Sequence, residues 1–270
     1  MTGRNSLVWG YILDLDGTLY RGEKAIPGAP QAVVQLRARG RRICFVSNNP
    51  LGSREAYARK LSSLGIPAEP EDVVTSGWVA ACTLARQAPQ ARVLVLGPTE
   101  LVRELRGQGL HPASDGAKAD VVLVGFDQTL TYERLTQAFQ ALRRGATFAA
   151  TNADPTCPVE DGEVPDAGAI IAALEACSGR KVEQVFGKPS PYTAVAALDL
   201  LKLPPQACAV VGDRLETDVR MAKENGMVSV LTLTGVTRAA QLARSPVIPD
   251  HVIASTADLA ELDNQLNPRS

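Results

Sequence analysis

Residues 9–18 read Trp9-Gly10-Tyr11-Ile12-Leu13-Asp14-Leu15-Asp16-Gly17-Thr18. The apolar run at the start of this stretch predicts a short strand buried in a parallel sheet. The Asp16-Gly17 pair then predicts a tight turn, which is what this pair forms in most sequences. Asp14 and Asp16 therefore lie at the carboxyl end of the strand, where open parallel sheets bind their ligands. Taken alone, the stretch fits a plain turn as well as a catalytic site.

Six further apolar runs follow the same plan along the chain. Together with the first, the candidate strands are Trp9–Leu15, Arg42–Ser47, Arg92–Leu96, Asp120–Val124, Ala146–Thr151, Ala207–Gly212 and Met227–Thr232. The longer stretches between them have helical spacing, as in Leu135, Ala138, Phe139 and Leu142. Six of these stretches stop at a glycine, which readily takes the left-handed conformation after a helix: Gly40, Gly65, Gly109, Gly145, Gly179 and Gly226. The alternation predicts an α/β fold with a doubly wound parallel sheet.

Composition and charge exclude several classes of protein. Apolar residues make up 45% of the chain and charged residues 21%, values that are ordinary for soluble globular proteins. The 28 Lys and Arg residues nearly balance the 29 Asp and Glu residues, which leaves a net charge of −1. This balance provides neither a basic nucleic-acid footprint nor a polybasic membrane patch. Aromatic residues, at 4%, are too few for a surface that stacks single-stranded nucleic acid.

Histidine and cysteine content narrows the chemistry further. The chain has two histidines, His111 and His251, which are few for a zinc site of the His/Cys type or for a Ser-His-Asp triad. The five cysteines are odd in number and form no CxxC pair, which indicates a reducing compartment. No run of 18 apolar residues predicts a membrane span. We therefore expect a soluble, cytoplasmic protein.

The second candidate strand also ends in polar side chains. It runs into Ser47-Asn48-Asn49-Pro50. Hydroxyl and amide donors at a strand end, with backbone N–H groups turning around them, suit a phosphate or another oxyanion. A polar loop closed by Pro50 is the alternative interpretation.

One lysine and two further carboxylates follow later in the chain. Lys188 lies in Gly187-Lys188-Pro189-Ser190-Pro191, where the prolines stiffen the backbone before a helix that Ser190 caps and Pro191 begins. The segment is not a P-loop, because Val182 stands where that motif requires a glycine. The strand Ala207–Gly212 leads into Asp213-Arg214-Leu215-Glu216-Thr217-Asp218. A solvent-facing lysine and helix-capping carboxylates are the plainer interpretations of these two motifs.

The four motifs together predict a metal site. The carboxylates of Asp14, Asp16, Asp213 and Asp218 would repel a phosphate that only Lys188 attracts. A hard divalent cation is therefore required, and Mg²⁺ fits best. With that cation bound, one carboxylate could attack phosphorus and form an acyl phosphate. A second carboxylate could protonate the leaving oxygen and then activate water.

The order of these motifs resembles the haloacid dehalogenase (HAD) superfamily of aspartyl phosphatases. Within it, the chain is similar to subfamily IIA, the branch of NagD-type proteins, 4-nitrophenyl phosphatases and sugar phosphatases. The resemblance runs from about Leu13 to Thr237 and rests on Asp14-x-Asp-Gly-Thr-Leu-x-x-Gly22, Ser47-Asn-Asn, Gly187-Lys-Pro and Gly212-Asp-Arg-Leu-x-Thr-Asp218. It implies a Rossmann-like α/β core interrupted by an inserted α/β cap domain of the C2 type.

The resemblance also implies catalytic roles for individual residues. Asp14 would be the nucleophile and Asp16 the general acid/base. Ser47 and Asn48 would bind the phosphoryl oxygens, and Lys188 would offset the charge of the phosphate and of the nucleophile. We expect neighbouring carboxylates to raise the pKa of Asp16, as its role as an acid requires.

The metal ligands follow from the same resemblance. Mg²⁺ would be held by the Asp14 carboxylate, the Asp16 backbone carbonyl and the Asp213 carboxylate. Asp218 would support this set from a second layer, through water.

The stretch between Ser47 and Lys188 is far longer than one strand-to-strand crossover needs. We therefore predict three segments: the first part of the core at 1–76, the inserted cap at 77–182 and the second part of the core at 183–270. In the family that the chain resembles, such a cap covers the site and sets substrate choice.

One segment of the predicted cap, Thr151-Asn-Ala-Asp-Pro-Thr-Cys-Pro158, resembles the cap loop of the family. We expect Asn152, Asp154 or Cys157 to meet the substrate, although a turn rich in Asn, Asp and Pro is the alternative. Relatives usually have Pro-Gly-x-Gly shortly afterwards, whereas this chain has Pro165-Asp166-Ala167-Gly168. Because Asp166 cannot take backbone angles as freely as glycine, the loop shape of the family and the substrate inference do not carry over directly to this chain.

These observations predict a Mg²⁺-dependent phosphomonoesterase that acts through an aspartyl-phosphate on Asp14. Its substrates would be small phosphorylated metabolites, with sugar phosphates favoured and 4-nitrophenyl phosphate as an artificial substrate. Two alternatives stay open: a phosphotransferase or phosphomutase, and a metabolite-binding regulator without catalysis. The resemblance suggests a homodimer, and the sequence predicts no nucleic-acid or membrane partner.

Overall fold

The structure is a computed structural model that describes residues 7–159, 162–242 and 244–268. In chain order, its strands are β1 Gly10–Asp14, β2 Tyr20–Arg21, β3 Lys24–Ala25, β4 Arg42–Ser47, β5 Val73–Thr75, β6 Arg92–Leu96, β7 His111–Pro112, β8 Val121–Val124, β9 Thr147–Ala150, β10 Thr156–Val159, β11 Gly162–Pro165, β12 Gln184–Val185, β13 Cys208–Gly212, β14 Val228–Thr232 and β15 His251–Ile253. Its helices are α1 Ala29–Ala38, α2 Arg54–Ser63, α3 Ser76–Gln87, α4 Thr99–Gly107, α5 Tyr132–Arg143, α6 Ala167–Ser178, α7 Pro191–Leu201, α8 Arg220–Glu224, α9 Ala239–Leu242 and α10 Leu259–Leu266.

The chain forms two compact units. The first takes in the described residues of Met1–Ser47, Arg54–Val74 and Thr193–Ser270, and the second takes in those of Asn48–Ser53 and Thr75–Tyr192. The insertion predicted over residues 77–182 lies inside the range of the second unit, and its role as a cap stays a prediction. None of the described helices is long and apolar enough to cross a membrane.

A six-stranded sheet forms the centre of the first unit, in the order β15-β14-β13-β1-β4-β5. Strand β1 pairs in parallel with β13 on one side and with β4 on the other. All residues of β1, β13 and β14 are buried, which explains why their sequences are apolar runs without alternation. The parallel pairing brings the carboxyl ends of these strands to one edge of the sheet.

The second unit has a parallel sheet of its own, in the order β12-β9-β8-β6-β7. Its core contains the apolar side chains of β6, β8 and β9 together with those of α5 and α6. Strands β10 and β11 form a separate antiparallel pair just before α6. The α/β fold class predicted from the sequence is confirmed in both units.

The seven predicted strands and the helix-terminating glycines are also confirmed. Each predicted strand is present, with its ends shifted by at most one residue. All six glycines that were predicted to end helical stretches have a positive φ, between 70° and 99°. Helix α7 begins at Pro191, and the backbone N–H of Tyr192 donates to Ser190 Oγ, as predicted for a Ser cap.

A buried carboxylate ties the last helix to the central strand of the first unit. Asp263, which is 1% exposed, accepts hydrogen bonds from Tyr11 Oη at 2.8 Å, Arg41 Nε at 2.9 Å and Asn267 Nδ2 at 2.9 Å. Arg39 adds a bond at 3.1 Å from the exposed side. Burial and the bond to Asp263 raise the pKa of the Tyr11 phenol. A single carboxylate thus satisfies several buried donors.

We predict that Asp263→Ala lowers the free energy of unfolding by about 3–5 kcal/mol, because it leaves the Arg41 guanidinium buried without its counter-charge. Tyr11→Phe is expected to cost less, about 1.5–3 kcal/mol, since it removes one hydrogen bond to the carboxylate and leaves the ion pair in place. Urea denaturation followed by circular dichroism measures both changes. The control is Gln265→Ala on the exposed face of the same helix, which is expected to stay within about 0.5 kcal/mol of wild type. A loss of less than about 1 kcal/mol for Asp263→Ala would contradict the assignment.

Candidate active site

Three carboxylates meet at the edge of the sheet in the first unit. One carboxylate oxygen of each of Asp14, Asp213 and Asp218 lies within 4.8 Å of the others. Asp14 ends β1, and Asp213 follows the last residue of the neighbouring strand β13. Because β1 and β13 pair in parallel, these two strand ends lie side by side. The fold thus brings together three of the four carboxylates that the sequence predicts at this site, and Asp16 is not among them.

The donor set fits a hard divalent cation. All three carboxylates are at least nine-tenths buried, so they are poorly hydrated. A positive charge would offset the repulsion among buried carboxylates at this spacing, and oxygen donors are what Mg²⁺ and Ca²⁺ prefer. Asp14 and Asp213 are two of the predicted ligands, while the predicted second-layer position of Asp218 stays a prediction.

The turn after β1 holds Asp14 in place. Thr18 Oγ1 donates to Asp14 Oδ2 at 3.1 Å, and the backbone N–H of Gly17 closes the turn on the carbonyl of Tyr20 at 2.8 Å. Gly17 has a φ of +83°, and a Cβ at this position would lie 2.6 Å from Asp213 Oδ2. Glycine is thus required both by the backbone conformation and by the closeness of the second carboxylate.

Asp218 reaches the cluster from an irregular helical turn. It lies in a π-helical segment, Leu215–Val219, and its Oδ2 accepts the Arg214 backbone N–H at 3.2 Å. A Cβ on Gly212 would overlap the Asp218 carboxyl group, so the strand end also needs glycine. The plainer interpretation of Asp218 as an N-cap is wrong, because α8 begins only at Arg220, after this π-helical turn.

Asp16 lies in the turn beyond β1 and is exposed to solvent. Partial burial of its carboxyl group nevertheless raises the pKa of Asp16. The positive charges of Lys60, Arg214 and Arg21 lower this pKa by a smaller amount. The direction of the shift is the expected one, but its largest cause is lost hydration and not neighbouring carboxylates. A raised pKa favours the protonated carboxyl that a general acid needs.

The polar residues Ser47 and Asn48, at the end of β4, have different surroundings. Ser47 is buried at the end of β4, one residue beyond Val46, which pairs with Asp14. The side chain of Asn48, in the second unit, hydrogen-bonds both backbone polar groups of Lys188. Its Nδ2 donates to the Lys188 carbonyl at 3.0 Å, and its Oδ1 accepts the Lys188 N–H at 2.7 Å. Nδ2 also donates to Asp154 at 3.2 Å. Both amide hydrogens of Asn48 are therefore engaged within the protein.

Lys188 is fixed on a closely packed backbone. The residue is 4% exposed. The preceding Gly187 donates its N–H to the Thr151 carbonyl, and a Cβ at Gly187 would lie 2.6 Å from that oxygen and 2.7 Å from Asn48 Oδ1. The Gly-Lys-Pro motif thus needs its glycine for close backbone approach, not for phosphate binding by a P-loop.

The predicted cap-loop residues Asn152 and Asp154 belong to a hydrogen-bond chain within the second unit. Asn152, 1% exposed, donates from Nδ2 to Asp154 at 3.3 Å and to Asp166 at 3.2 Å. Its Oδ1 accepts from Thr151 Oγ1 at 2.9 Å. The Asn152 amide is thus used to orient Asp154, which is half-buried. Cys157 lies half-buried on β10.

Asp166 lies in a backbone conformation that does not require glycine. Its φ of −108° and ψ of −168° are extended values that any residue adopts. Its carboxylate caps α6 by accepting the Ala167 N–H, and it also accepts from Asn152. The close approach falls instead at Gly168, where a Cβ would lie 2.7 Å from the Ala153 carbonyl.

Comparison with known proteins places the chain in a family. Residues 11–111 match the family model described as haloacid dehalogenase-like hydrolase, and residues 185–259 match a second, HAD-hydrolase-like model. The sugar-phosphatase AraL of Bacillus subtilis (strain 168) is 40% identical over 253 residues, which cover 94% of this chain and 92% of that protein. The chain belongs to the HAD hydrolases.

Solved structures of HAD hydrolases agree with this assignment. The 4-nitrophenylphosphatase of Thermotoga maritima superimposes with a TM-score of 0.90 at 38% identity and covers 94% of this chain and 97% of its own. A glycerol phosphate phosphatase from Mycobacterium tuberculosis, crystallised with magnesium, gives a TM-score of 0.87 at 36% identity over 94% of this chain and 78% of its own. A putative NagD protein also matches. The predicted resemblance to subfamily IIA is confirmed.

Two supports of this HAD site are not predicted by the sequence motifs. The Thr18 hydroxyl contacts the Asp14 carboxylate, although the first motif assigns Thr18 no role. The segment after β14, Leu233-Thr234-Gly235-Val236-Thr237, lies outside the four motifs. The available signal was the same as for the other motifs, namely small and hydroxyl residues directly after an apolar strand.

We predict that Asp166→Ala lowers the free energy of unfolding by about 1–3 kcal/mol, because it removes a helix cap and leaves a buried Asn152 donor without its acceptor. The matched variant Asp166→Asn keeps an oxygen for the cap and is expected to lose at most half as much. Thermal unfolding measures the stability, and hydrogen exchange at the amides of Ala167 and Ala169 locates the effect. An Asp166→Ala protein as stable as wild type would show that the chain of hydrogen bonds does not hold the loop.

Proposed function

We propose that this HAD hydrolase is a Mg²⁺-dependent phosphatase of small phosphomonoesters, with sugar phosphates as favoured substrates and 4-nitrophenyl phosphate as an artificial one. The observation that carries the proposal is the buried cluster of Asp14, Asp213 and Asp218 at the carboxyl edge of the parallel sheet. Its relatives support the substrate class, because they are named sugar phosphatase, glycerol-3-phosphate phosphatase and 4-nitrophenylphosphatase.

In the first chemical step, a carboxylate oxygen of Asp14 attacks phosphorus. A bond forms between that oxygen and phosphorus, and the bond from phosphorus to the substrate's ester oxygen breaks. Asp16 gives its proton to the leaving oxygen, which departs as an alcohol. The raised pKa of Asp16 and its position two residues from Asp14 support this division of roles.

In the second step, Asp16, now ionised, takes a proton from a water molecule. The water oxygen attacks phosphorus, the bond between Asp14 and phosphorus breaks, and inorganic phosphate leaves. Thr18 keeps Asp14 oriented through its hydroxyl hydrogen bond during both steps. The enzyme thereby returns to its starting protonation state.

The proposed metal ligands are the Asp14 and Asp213 carboxylates and the Asp16 backbone carbonyl, with Asp218 in support. When bound, Mg²⁺ supplies positive charge that offsets the carboxylates and the phosphoryl oxygens. The magnesium and calcium complexes of the related glycerol phosphate phosphatase support this choice of cation.

Ser47, Asn48 and Lys188 are proposed to bind the phosphoryl group. Ser47 would donate from its hydroxyl. Since both amide hydrogens of Asn48 bond within the protein, Asn48 would donate from its backbone N–H. Lys188 would offset the phosphate charge, and the cost of burying an ammonium supports a role opposite an anion.

The second unit is proposed to be the C2-type cap that selects the substrate. Asp154 is the residue to which we assign substrate contact, because its Oδ2 takes the bonds from Asn48 and Asn152 and the residue is half-exposed. A carboxylate acceptor suits the hydroxyl groups of a sugar or polyol phosphate. Asn152 then acts by orienting Asp154. Cys157, on β10, is the other candidate for substrate contact. The cytoplasmic location and the homodimer remain predictions from cysteine content and family resemblance.

We predict that Asp14→Asn reduces turnover of 4-nitrophenyl phosphate to below about 1% of wild type, because the amide cannot form the acyl phosphate. Circular dichroism and the melting temperature should stay near wild type. The control is Asp199→Asn, on the exposed face of α7, which should leave turnover unchanged. Retention of more than a few per cent of activity by Asp14→Asn would rule out the nucleophile assignment.

We also predict that EDTA abolishes phosphate release and that added Mg²⁺ restores it. A panel of sugar phosphates, glycerol phosphate, nucleotides and pyridoxal phosphate identifies the substrate class by the phosphate released. Reaction in ¹⁸O-labelled water should place one label in the inorganic phosphate. Transfer of the phosphoryl group to a second sugar without label would favour the phosphotransferase alternative, and tight binding without any release would favour the regulator.

A further inference from the structure

A third loop lies at the same edge of the first unit's sheet as the acidic cluster. It comprises Leu233–Thr237 and is here named the β14 loop. Strand β14 pairs in parallel with β13, with Leu231 opposite Gly212, so the two strands end side by side. The loop lies outside the four sequence motifs of the site.

The β14 loop encloses the carboxylate of Asp213. The backbone N–H of Val236 donates to Asp213 Oδ2 at 2.6 Å, and the backbone N–H of Thr237 donates to the Asp213 carbonyl at 3.1 Å. Gly235 packs so closely that a Cβ there would overlap the Asp213 carboxylate. Since a Cβ on Gly17 would also meet this carboxylate, Asp213 sits in a slot between two glycines.

The same loop holds the turn that follows Asp14. Thr234 Oγ1 donates to the Gly17 carbonyl at 2.7 Å and lies 2.9 Å from Thr232 Oγ1. The Arg21 guanidinium donates to the Thr234 carbonyl. One short segment is thus hydrogen-bonded both to Asp213 and to the turn that carries Asp14, the two carboxylates on adjacent strand ends.

We propose that Thr234 and Gly235 of the β14 loop are positioning residues that set the Mg²⁺ affinity of the site. Mg²⁺ requires near-ideal octahedral geometry with short bonds, so a displaced carboxylate weakens binding steeply. Groups that hydrogen-bond the ligands of a metal typically change its affinity by about 10–100-fold when they are lost. The inference rests on the proposed function, because it takes Asp14 and Asp213 as metal ligands.

The first test is Gly235→Ala, with Gly107→Ala as the matched control. The new methyl group at residue 235 displaces the Asp213 carboxylate, whereas a Cβ at Gly107, on α4, meets open space. Isothermal titration of the metal-free full chain with Mg²⁺ is expected to show at least about 10-fold weaker binding for Gly235→Ala. Gly107→Ala is expected to match wild type. Wild-type affinity in a folded Gly235→Ala protein would overturn the proposal.

The second test is a pair of variants at Thr234, which decides the question even if Gly235→Ala does not fold. Thr234→Val keeps the shape of the side chain and removes its donor to Gly17, so Mg²⁺ binding is expected to weaken by about 10-fold. Thr234→Ser keeps the hydroxyl and is expected to recover most of the affinity. The melting temperature in EDTA should be similar for the two variants, because the effect is on the metal and not on the fold.

Comparison of the Mg²⁺ requirement with kcat distinguishes a positioning role of Thr234 from a general loss of structure. For Thr234→Val the Mg²⁺ concentration that gives half-maximal activity is expected to rise about 10-fold, while kcat at saturating Mg²⁺ stays within about twofold of wild type. An unchanged Mg²⁺ requirement would overturn the role of the β14 loop. The proposed function would survive that result if the wild type still bound Mg²⁺ and released phosphate. Absence of Mg²⁺ binding by the wild type would overturn both proposals.

Discussion

Repulsion among three buried carboxylates is the constraint around which the first unit is built. At 4.8 Å, two full negative charges repel by about 3–4 kcal/mol if the effective dielectric constant is about 20. Nothing in the local sequence of Asp14 or of Asp213 holds them together against this force. Their closeness is imposed by the pairing of β1 with β13, whose backbone hydrogen bonds and buried side chains fix the two strand ends next to each other.

Glycine makes this arrangement sterically feasible. Gly17, Gly212 and Gly235 each face a carboxylate that any larger side chain would displace. The space that three missing side chains leave open is filled by Asp213 and Asp218, so the acidic groups are confined as well as brought near. Backbone N–H groups at Arg214 and Val236 then orient the carboxylate oxygens. Confinement and orientation by the backbone change little when a ligand binds, which is the condition for a pre-organised site.

In the second unit, hydrogen bonds between side chains hold the polar residues of the predicted cap loop. Its polar side chains form one connected chain from the half-buried Asn48 and Asp154 to the buried Asn152 and Asp166. Each amide hydrogen of the two asparagines has an acceptor, so the low polarity of the interior strengthens these bonds and does not penalise them. Asp166 extends the chain to the cap of α6. The Asp166 side chain therefore adds a fixed point to the loop, while its backbone conformation is ordinary.

Local features of the sequence determined the strands, the helix ends and the chemical character of the site. Apolar runs, helical periodicity and terminal glycines act over a few residues, so they predicted the α/β class, and the Asp, Ser-Asn, Lys and Asp motifs predicted a phosphate and metal site. The tertiary structure alone decided which partner each polar group takes. It assigned the Asn48 and Asn152 amides to internal hydrogen bonds, gave burial as the main cause of the raised Asp16 pKa, and brought the β14 loop against Asp213. The physical reason is that hydrogen bonding, hydration and close packing depend on groups that are distant in the chain, and only the folded sheet brings those groups together.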